Sequence, residues 1–283
     1  MLGSISDSED VLQESYLKWS STRLGPVDNP EAFLTSIVSR LCIDKLRKRK
    51  IEKLNYTGPW LPEPVPTDED PADKIASHES ISMAFMVMLE YLSPLERAVF
   101  ILREAFDLSH NNIAEQLQIS PCHSRQLARR ARLRVDVDTT PVTNAEAKPL
   151  VAAFYAALES GETEGLHQLL CEDVTAYTDG GGRVSAAMIP LRGQQTVIQV
   201  FSHLARKNAQ DISASWSSIN GQVGLVFREK KTNDINSIIT FALTGQKISR
   251  IFVMRNPEKL KAFNGQVESA GSEFIRAIRL RGQ

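Results

Sequence analysis

Arginine and glutamine are the side chains best suited to reading duplex DNA. A guanidinium pairs bidentately with guanine O6 and N7, and a carboxamide pairs with adenine. Arg125, Gln126, Arg129 and Arg130 present these groups at helical spacing, joined by Arg132 and Arg134, with no acid between Cys122 and Val135. Leu127 and Ala131 stay apolar at i, i+4 within the same run. Such a helix docks by a narrow apolar seam and turns its cationic remainder outward. Ser120 and Pro121 supply its N-cap and first position, which places His123 and Ser124 near its start. Upstream, Ile113, Ala114 and Leu117 share a face, and Ile119 falls in the turn between the two helices. This is the pattern of a helix-turn-helix whose second helix lies in the major groove. A solvated cationic helix face is the competing reading.

The formal net charge of −1 over 283 residues hides strong local asymmetry. Arg40–Lys53 and Arg125–Arg134 are basic, whereas Glu63–Asp73 is acidic, and local charge decides nucleic-acid binding. The first basic segment ends a helix with an apolar stripe of Phe33, Ile37, Val38, Leu41 and Leu46. Arg40, Asp44, Arg47 and Lys48 lie on its charged side. An N-terminal helix over residues 6–19 sets Val11, Leu12, Tyr16 and Trp19 against an acidic face of Asp7, Glu9, Asp10 and Glu14. Those acids suit either a basic partner surface or the helix dipole. The cysteines, Cys42, Cys122 and Cys171, are scattered and odd in number. They have no metal-ligand spacing and form no disulfide framework, which fits a reducing cytoplasm. The N-terminus lacks a signal-peptide pattern, and no apolar run reaches the length of a membrane span. No metal or cofactor is expected.

Residues 55–74 contain five prolines and a glycine, which excludes a regular helix there. Trp60, Leu61 and Pro62 are too apolar for a free linker and mark a docking point. Helical pattern resumes at Ile75–Leu92 and again after Ser93-Pro94, where Glu96 completes a capping box. Past a polar stretch around Asp136–Lys148, amphipathic helices give way to strands: VTAYTD, a return strand RVSAAMI, then four more. Asn220-Gly221 is a hairpin turn between two of them. Helices followed by a strand meander predict an α+β domain with one curved antiparallel sheet. Asp179-Gly180-Gly181-Gly182 superficially resembles a phosphate loop. No Lys-Ser/Thr follows the glycines and no helix opens there, so a turn or bulge is expected. The chain is expected to close with an amphipathic helix carrying Phe274, Ile275 and Ile278.

The order of these pieces resembles the extracytoplasmic-function sigma factors of bacterial RNA polymerase. DSEDVLQESYLKW resembles the region-2 helix that meets the polymerase clamp, and FLTSIVSRLCIDKLRKRK the helix that reads and melts the −10 element. SPLERAVFILREAFDLSHNNIAEQLQISPCHSRQLARRAR resembles region 4, the reader of the −35 element. The words GPWLPEP, YTDGGG and NPEKL are similar to the sigma-J-like group, which carries a fused SnoaL-like (NTF2-type) C-terminal domain.

The resemblance implies a multi-domain fold: all-α sigma region 2 and region 4, then an α+β cone. Region 2 would span 1–54, a Pro-rich linker 55–74, region 4 75–136, a second linker 137–145, the SnoaL-like domain 146–263 and a helical tail 264–283. The family's region 2 begins with an extra helix before the word matching MLGS. Against that pattern the first helix is missing, and part of the Val11, Leu12 and Tyr16 stripe is expected to be exposed.

For function, the resemblance implies a sigma factor whose partners are core RNA polymerase (clamp and flap) and promoter DNA. His123, Ser124, Arg125, Gln126, Arg129 and Arg130 would serve the −35 element. Arg40, Asp44, Arg47 and Lys48 would serve the −10 element, beside a loop at Ser20–Asn29 that cradles an unstacked base. Asp7, Glu9, Asp10 and Glu14 would meet the polymerase. Trp60, Leu61 and Pro62, Asp179 and its three glycines, and Asn256, Pro257, Lys259 and Leu260 would hold the C-terminal domain in a regulatory contact. His167, Asp173, Tyr177, Asp179 and His203 are the polar candidates for a small-molecule pocket inside the cone. Two other readings stay open: a polymerase-independent helix-turn-helix regulator with a ligand-sensing domain, and a SnoaL-type isomerase or cyclase.

Overall fold

The structure, a computed structural model, describes residues 1–21, 29–67, 81–135 and 143–264. Most of the base-capturing loop, the start of the helix expected at Ile75 and the closing helix lie outside the described residues. The described chain forms two compact units, one from 1–55 and 88–137, the other from 56–87 and 138–266.

The helical unit begins with α1 (Ile5–Ser21) and α2 (Pro30–Lys53). Asn29 caps α2 by accepting from Ala32 N at 3.0 Å, and Pro30 takes the first helical position. Val11 is buried with Leu2, Leu41, Cys42 and Leu46. The expected exposure of that stripe is therefore not seen at Val11. It is Tyr16 that stands exposed, while Ser15 takes the buried position and donates to Val11 O at 2.6 Å. A short helix, α3 (Met83–Leu89), belongs mostly to the second unit; the helical unit resumes at Met88 and continues with α4 (Pro94–Glu104), α5 (His110–Leu117) and α6 (Pro121–Val135). Ser93 and Glu96 form the anticipated capping box on α4. Val99 and Leu102 pack with Ile113, Leu127 and Ala128, locking α6 to its partners. Each of the Val, Leu and Ile side chains contributes about 1.5–3 kcal/mol, and Ala128 less. Gln118 closes α5 in the left-handed region, φ 57°, and sets the turn into α6.

The second unit holds α7 (Asn144–Ser160), α8 (Thr163–Leu169), β1 (Leu170–Asp179), β2 (Leu191–Arg192) and α9 (Gln194–Asn208). There follow β3 (Ile212–Ile219), β4 (Gln222–Glu229), β5 (Ile235–Thr244), β6 (Lys247–Met254) and α10 (Pro257–Asn264). The strands form one sheet in the order β2-β1-β6-β5-β4-β3. β1 runs parallel to β6, which corrects the expectation of a wholly antiparallel sheet. RVSAAMI is not a strand: turns occupy its first residues, and the return pairing is confined to Leu191–Arg192. The Asn220-Gly221 turn forms as read, with φ 52° and 71°.

One face of the sheet is packed by Val151, Phe154, Val197 and Phe201 against Leu225, Ile239 and Phe241. The other face is packed by Leu61, Met83, Ala84 and Val87. Most of β5 is buried on both sides, which is why Ile238, Ile239, Phe241, Ala242 and Leu243 show no strict alternation with polar residues.

Candidate nucleic-acid interface and linker anchor

On α6, His123, Arg125, Gln126, Arg129 and Arg130 are exposed, while Leu127, Ala128 and Ala131 are buried. The helix thus separates an apolar seam from a cationic face, as its spacing requires. Ser124 departs from expectation: it is fully buried, and its Oγ lies 3.0 Å from His110 Nδ1. It sits on the seam with Leu127 and Ala128 and braces the helix pair instead of facing outward. Burial, followed by the nearby Arg103, Arg125 and Arg132, holds the His110 pKa below the usual histidine value. Arg132 and Arg134 bond Glu104 and Glu96 at 2.6 and 2.7 Å.

On α2, Asp44, Arg47 and Lys48 are exposed, with Arg47 bonded to Asp44 at 3.1 Å. Arg40 is engaged within the unit. Its Nε and Nη2 donate to Gln116 O at 3.1 and 2.9 Å, and Ser36 Oγ donates to the same carbonyl at 3.0 Å. That carbonyl lies in the last turn of α5, where helical carbonyls lack internal partners.

The acidic face of α1 is divided. Asp7 bonds Lys45 at 3.0 Å and also Arg49, and Asp10 bonds Lys45 at 2.6 Å, so these two acids tie α1 to α2. Asp7 is thereby half-buried inside the unit, whereas Asp10 keeps an exposed side chain. Glu14 pairs with Lys18 on its own helix. Glu9 is half-buried.

The linker anchor converges on one carboxylate. Asp179, fully buried at the end of β1, accepts from Tyr56 Oη at 2.5 Å, Leu61 N at 2.8 Å, Lys259 Nζ at 2.7 Å and Gly181 N at 3.0 Å. Lys259 Nζ also donates to Leu61 O at 2.5 Å and lies 4.0 Å from the Trp60 ring centroid. Asn256 Nδ2 donates to Tyr56 Oη at 2.9 Å. Burial, reinforced by the bond to Asp179 and its charge, pushes the Tyr56 pKa up, so the phenol remains a donor. The glycines permit this closeness: a Cβ on Gly181, at φ 62°, would stand 2.4 Å from Asn256 Nδ2. Gly180 lies under Val184 O and Gly182 against Thr57. Pro62 and Leu260 are buried beside the cluster's residues, and Pro257 opens α10.

Comparisons with known proteins bear on both surfaces. Residues 1–51 match the family model for Sigma-70 region 2, and residues 82–135 that for Sigma-70, region 4. The ECF RNA polymerase sigma factor SigJ of Mycobacterium tuberculosis (strain ATCC 25618 / H37Rv) is 34% identical over 236 residues, covering 79% of this chain and 74% of that protein. The chain belongs to the extracytoplasmic-function sigma factors of RNA polymerase.

The probable ECF sigma factor SigI of Mycobacterium tuberculosis is 25% identical over 272 residues, 94% of this chain and 91% of that one. The crystal structure of Mycobacterium tuberculosis SigJ overlaps 92% of this chain and 91% of its own, with a TM-score of 0.73 and 31% identity. As a sigma factor the chain partners core RNA polymerase and promoter DNA, and these matches do not favour a polymerase-independent regulator. α6 lies within the residues matched to region 4, and most of α2 within those matched to region 2.

The polar residues expected to line a pocket in this sigma factor do not converge. His167 bonds Gln194 at 2.7 Å on the surface, Asp173 and His203 are exposed, Tyr177 stacks on Phe252 at 5.7 Å, and Asp179 belongs to the anchor. Phe154, whose ring meets Phe201 and Phe241 at 6.1 and 5.4 Å, fills the space between helices and sheet. Sequence reasoning missed Tyr56 and Thr57, which flank the signalled Trp60 and complete the anchor. It also missed Glu90, half-buried between Lys53 and Arg97. A lone acid inside an apolar helical run, MAFMVMLEYL, was the available signal for Glu90.

Proposed function

We propose that this sigma factor sets α6 into the −35 major groove through His123, Arg125, Gln126, Arg129 and Arg130. In the same reading α2 serves the −10 strands through Arg40, Asp44, Arg47 and Lys48. Glu9, Asp10 and Glu14 face the polymerase clamp, and region 4 meets the flap. The factor works in the cytoplasm, and the polymerase supplies the catalysis. The observation that carries this reading is the exposed arginine face of α6, in a helix fixed from behind by Leu127, Ala128 and Ala131.

The two promoter boxes stand more than one helical turn apart, about 34 Å per turn. Arg40 and Ser36 must therefore release the Gln116 carbonyl before α2 and α6 serve both boxes. The C-terminal domain modulates the factor in cis by holding the linker on Asp179. Transcription by core enzyme from a promoter carrying both boxes tests the reading. Arg129→Ala should lower initiation and relax preference at one −35 base pair. Transcription indifferent to α6 substitutions would overturn the assignment of that helix.

A further inference from the structure

Within the helical unit, the C-terminal turns of α2 meet the chain that enters α4 around a cavity of about 270 Å³. Arg49, Lys50, Lys53, Arg97 and Arg134 line it with Glu90. Glu90 pairs with Lys53 and Arg97, Asp7 with Arg49 and Glu96 with Arg134, and among the described residues Lys50 makes no ion pair. Arg97 is 3% exposed, and its Nε has no hydrogen-bond partner. A buried guanidinium N–H left unmatched is costly. Lys50 is exposed at the rim. Its ammonium is a mobile point charge suited to a phosphate oxygen, while a guanidinium offers a planar fork. The cavity falls below the roughly 300–1,000 Å³ typical of drug-sized ligands, so its occupant is a small ion.

We infer that this cavity is a binding site for a small phosphate anion, inorganic phosphate or pyrophosphate. Its walls come from α2 of region 2 and from α4 and α6 of region 4, so the anion bridges the two regions. Given the promoter-binding reading above, it would favour the arrangement in which Arg40 stays on Gln116 and so restrain promoter engagement.

Titration calorimetry on the full chain, at fixed ionic strength set with sodium chloride, tests the site with pyrophosphate and with inorganic phosphate. The expected result is saturable one-site binding that weakens about tenfold in Lys50→Glu, the worth of one charge-assisted bond. Lys50→Arg should restore it, with all three proteins melting alike. Heat that does not saturate, or binding indifferent to Lys50→Glu, would overturn the proposal. A short single-stranded oligonucleotide without terminal phosphate separates the sources of phosphate. If the oligonucleotide binds through Lys50 and the free anions do not, the cavity belongs to the DNA track and the proposal fails. Transcription by core enzyme is measured separately. Normal initiation without anion binding sinks the site alone, and anion binding without initiation sinks the promoter reading alone.

Discussion

Asp179 gathers the linker, the glycine turn and α10 around one carboxylate. It accepts from a phenol, two peptide N–H groups and an ammonium while fully buried. Removing one partner of a buried ion pair strands the other, at about 3–5 kcal/mol. Asp179→Ala should therefore lower the melting temperature by several degrees and free the linker, which limited proteolysis between Tyr56 and Thr67 would register. Asp179→Asn should do so less, since it keeps the shape and one acceptor. Gly181→Ala should mimic the loss without touching a charge, because its Cβ collides with Asn256. On the proposed −35 face of α6, Arg125→Ala or Arg129→Ala should each weaken promoter binding by about 1–3 kcal/mol if it reads a base. If it holds a phosphate instead, binding should weaken uniformly across sequences and the salt slope should fall by about one. Gel-shift titrations at several salt concentrations separate the two.

Elements with local causes were legible in the sequence, and elements with distant causes were not. The capping box of α4, the i, i+4 seam of α6 and the Asn220-Gly221 hairpin are set by residues within a few positions of one another, and each forms where the pattern places it. The parallel pairing of β1 with β6 joins segments some seventy residues apart, and no local spacing encodes it. Gly180–Gly182 serve a close approach by Asn256 and Thr57, so the segment after β1 turns where alternation suggested a strand. Likewise Met83, Ala84 and Val87 pack on the sheet because its second face needs cover, a demand invisible within MAFMVML. Between α2 and α4, Glu90 joins Lys53 and Arg97. Burial alone would raise its pKa, but the bond and charge of Arg97, with those of Lys53, outweigh that and hold it below the usual carboxylate range. Stability from Glu90 is thus fully present above the unfolded value and is lost as pH falls through the lowered folded one. Glu90→Gln should flatten the acid limb of the stability curve and lower stability at neutral pH by about 3–5 kcal/mol, measured by urea unfolding.

For the molecule as a whole, a net charge of −1 conceals two cationic surfaces, one on α2 and one on α6. Promoter affinity should fall steeply with salt, because each phosphate neutralised releases counterions. Both surfaces belong to one compact unit in which Arg40 is occupied by Gln116. Substituting Ser36 by alanine removes one of the bonds to that carbonyl without altering any charge. It should modestly raise the fraction able to engage both boxes, read as faster open-complex formation. The most direct measurement is run-off transcription by core polymerase from a promoter with intact −35 and −10 elements, comparing the native chain with an Arg125→Ala/Arg129→Ala/Arg130→Ala variant of α6. The account predicts initiation by the native chain that depends on the −35 sequence, and its collapse in the variant with the fold unchanged. Initiation of equal strength in both proteins would contradict it.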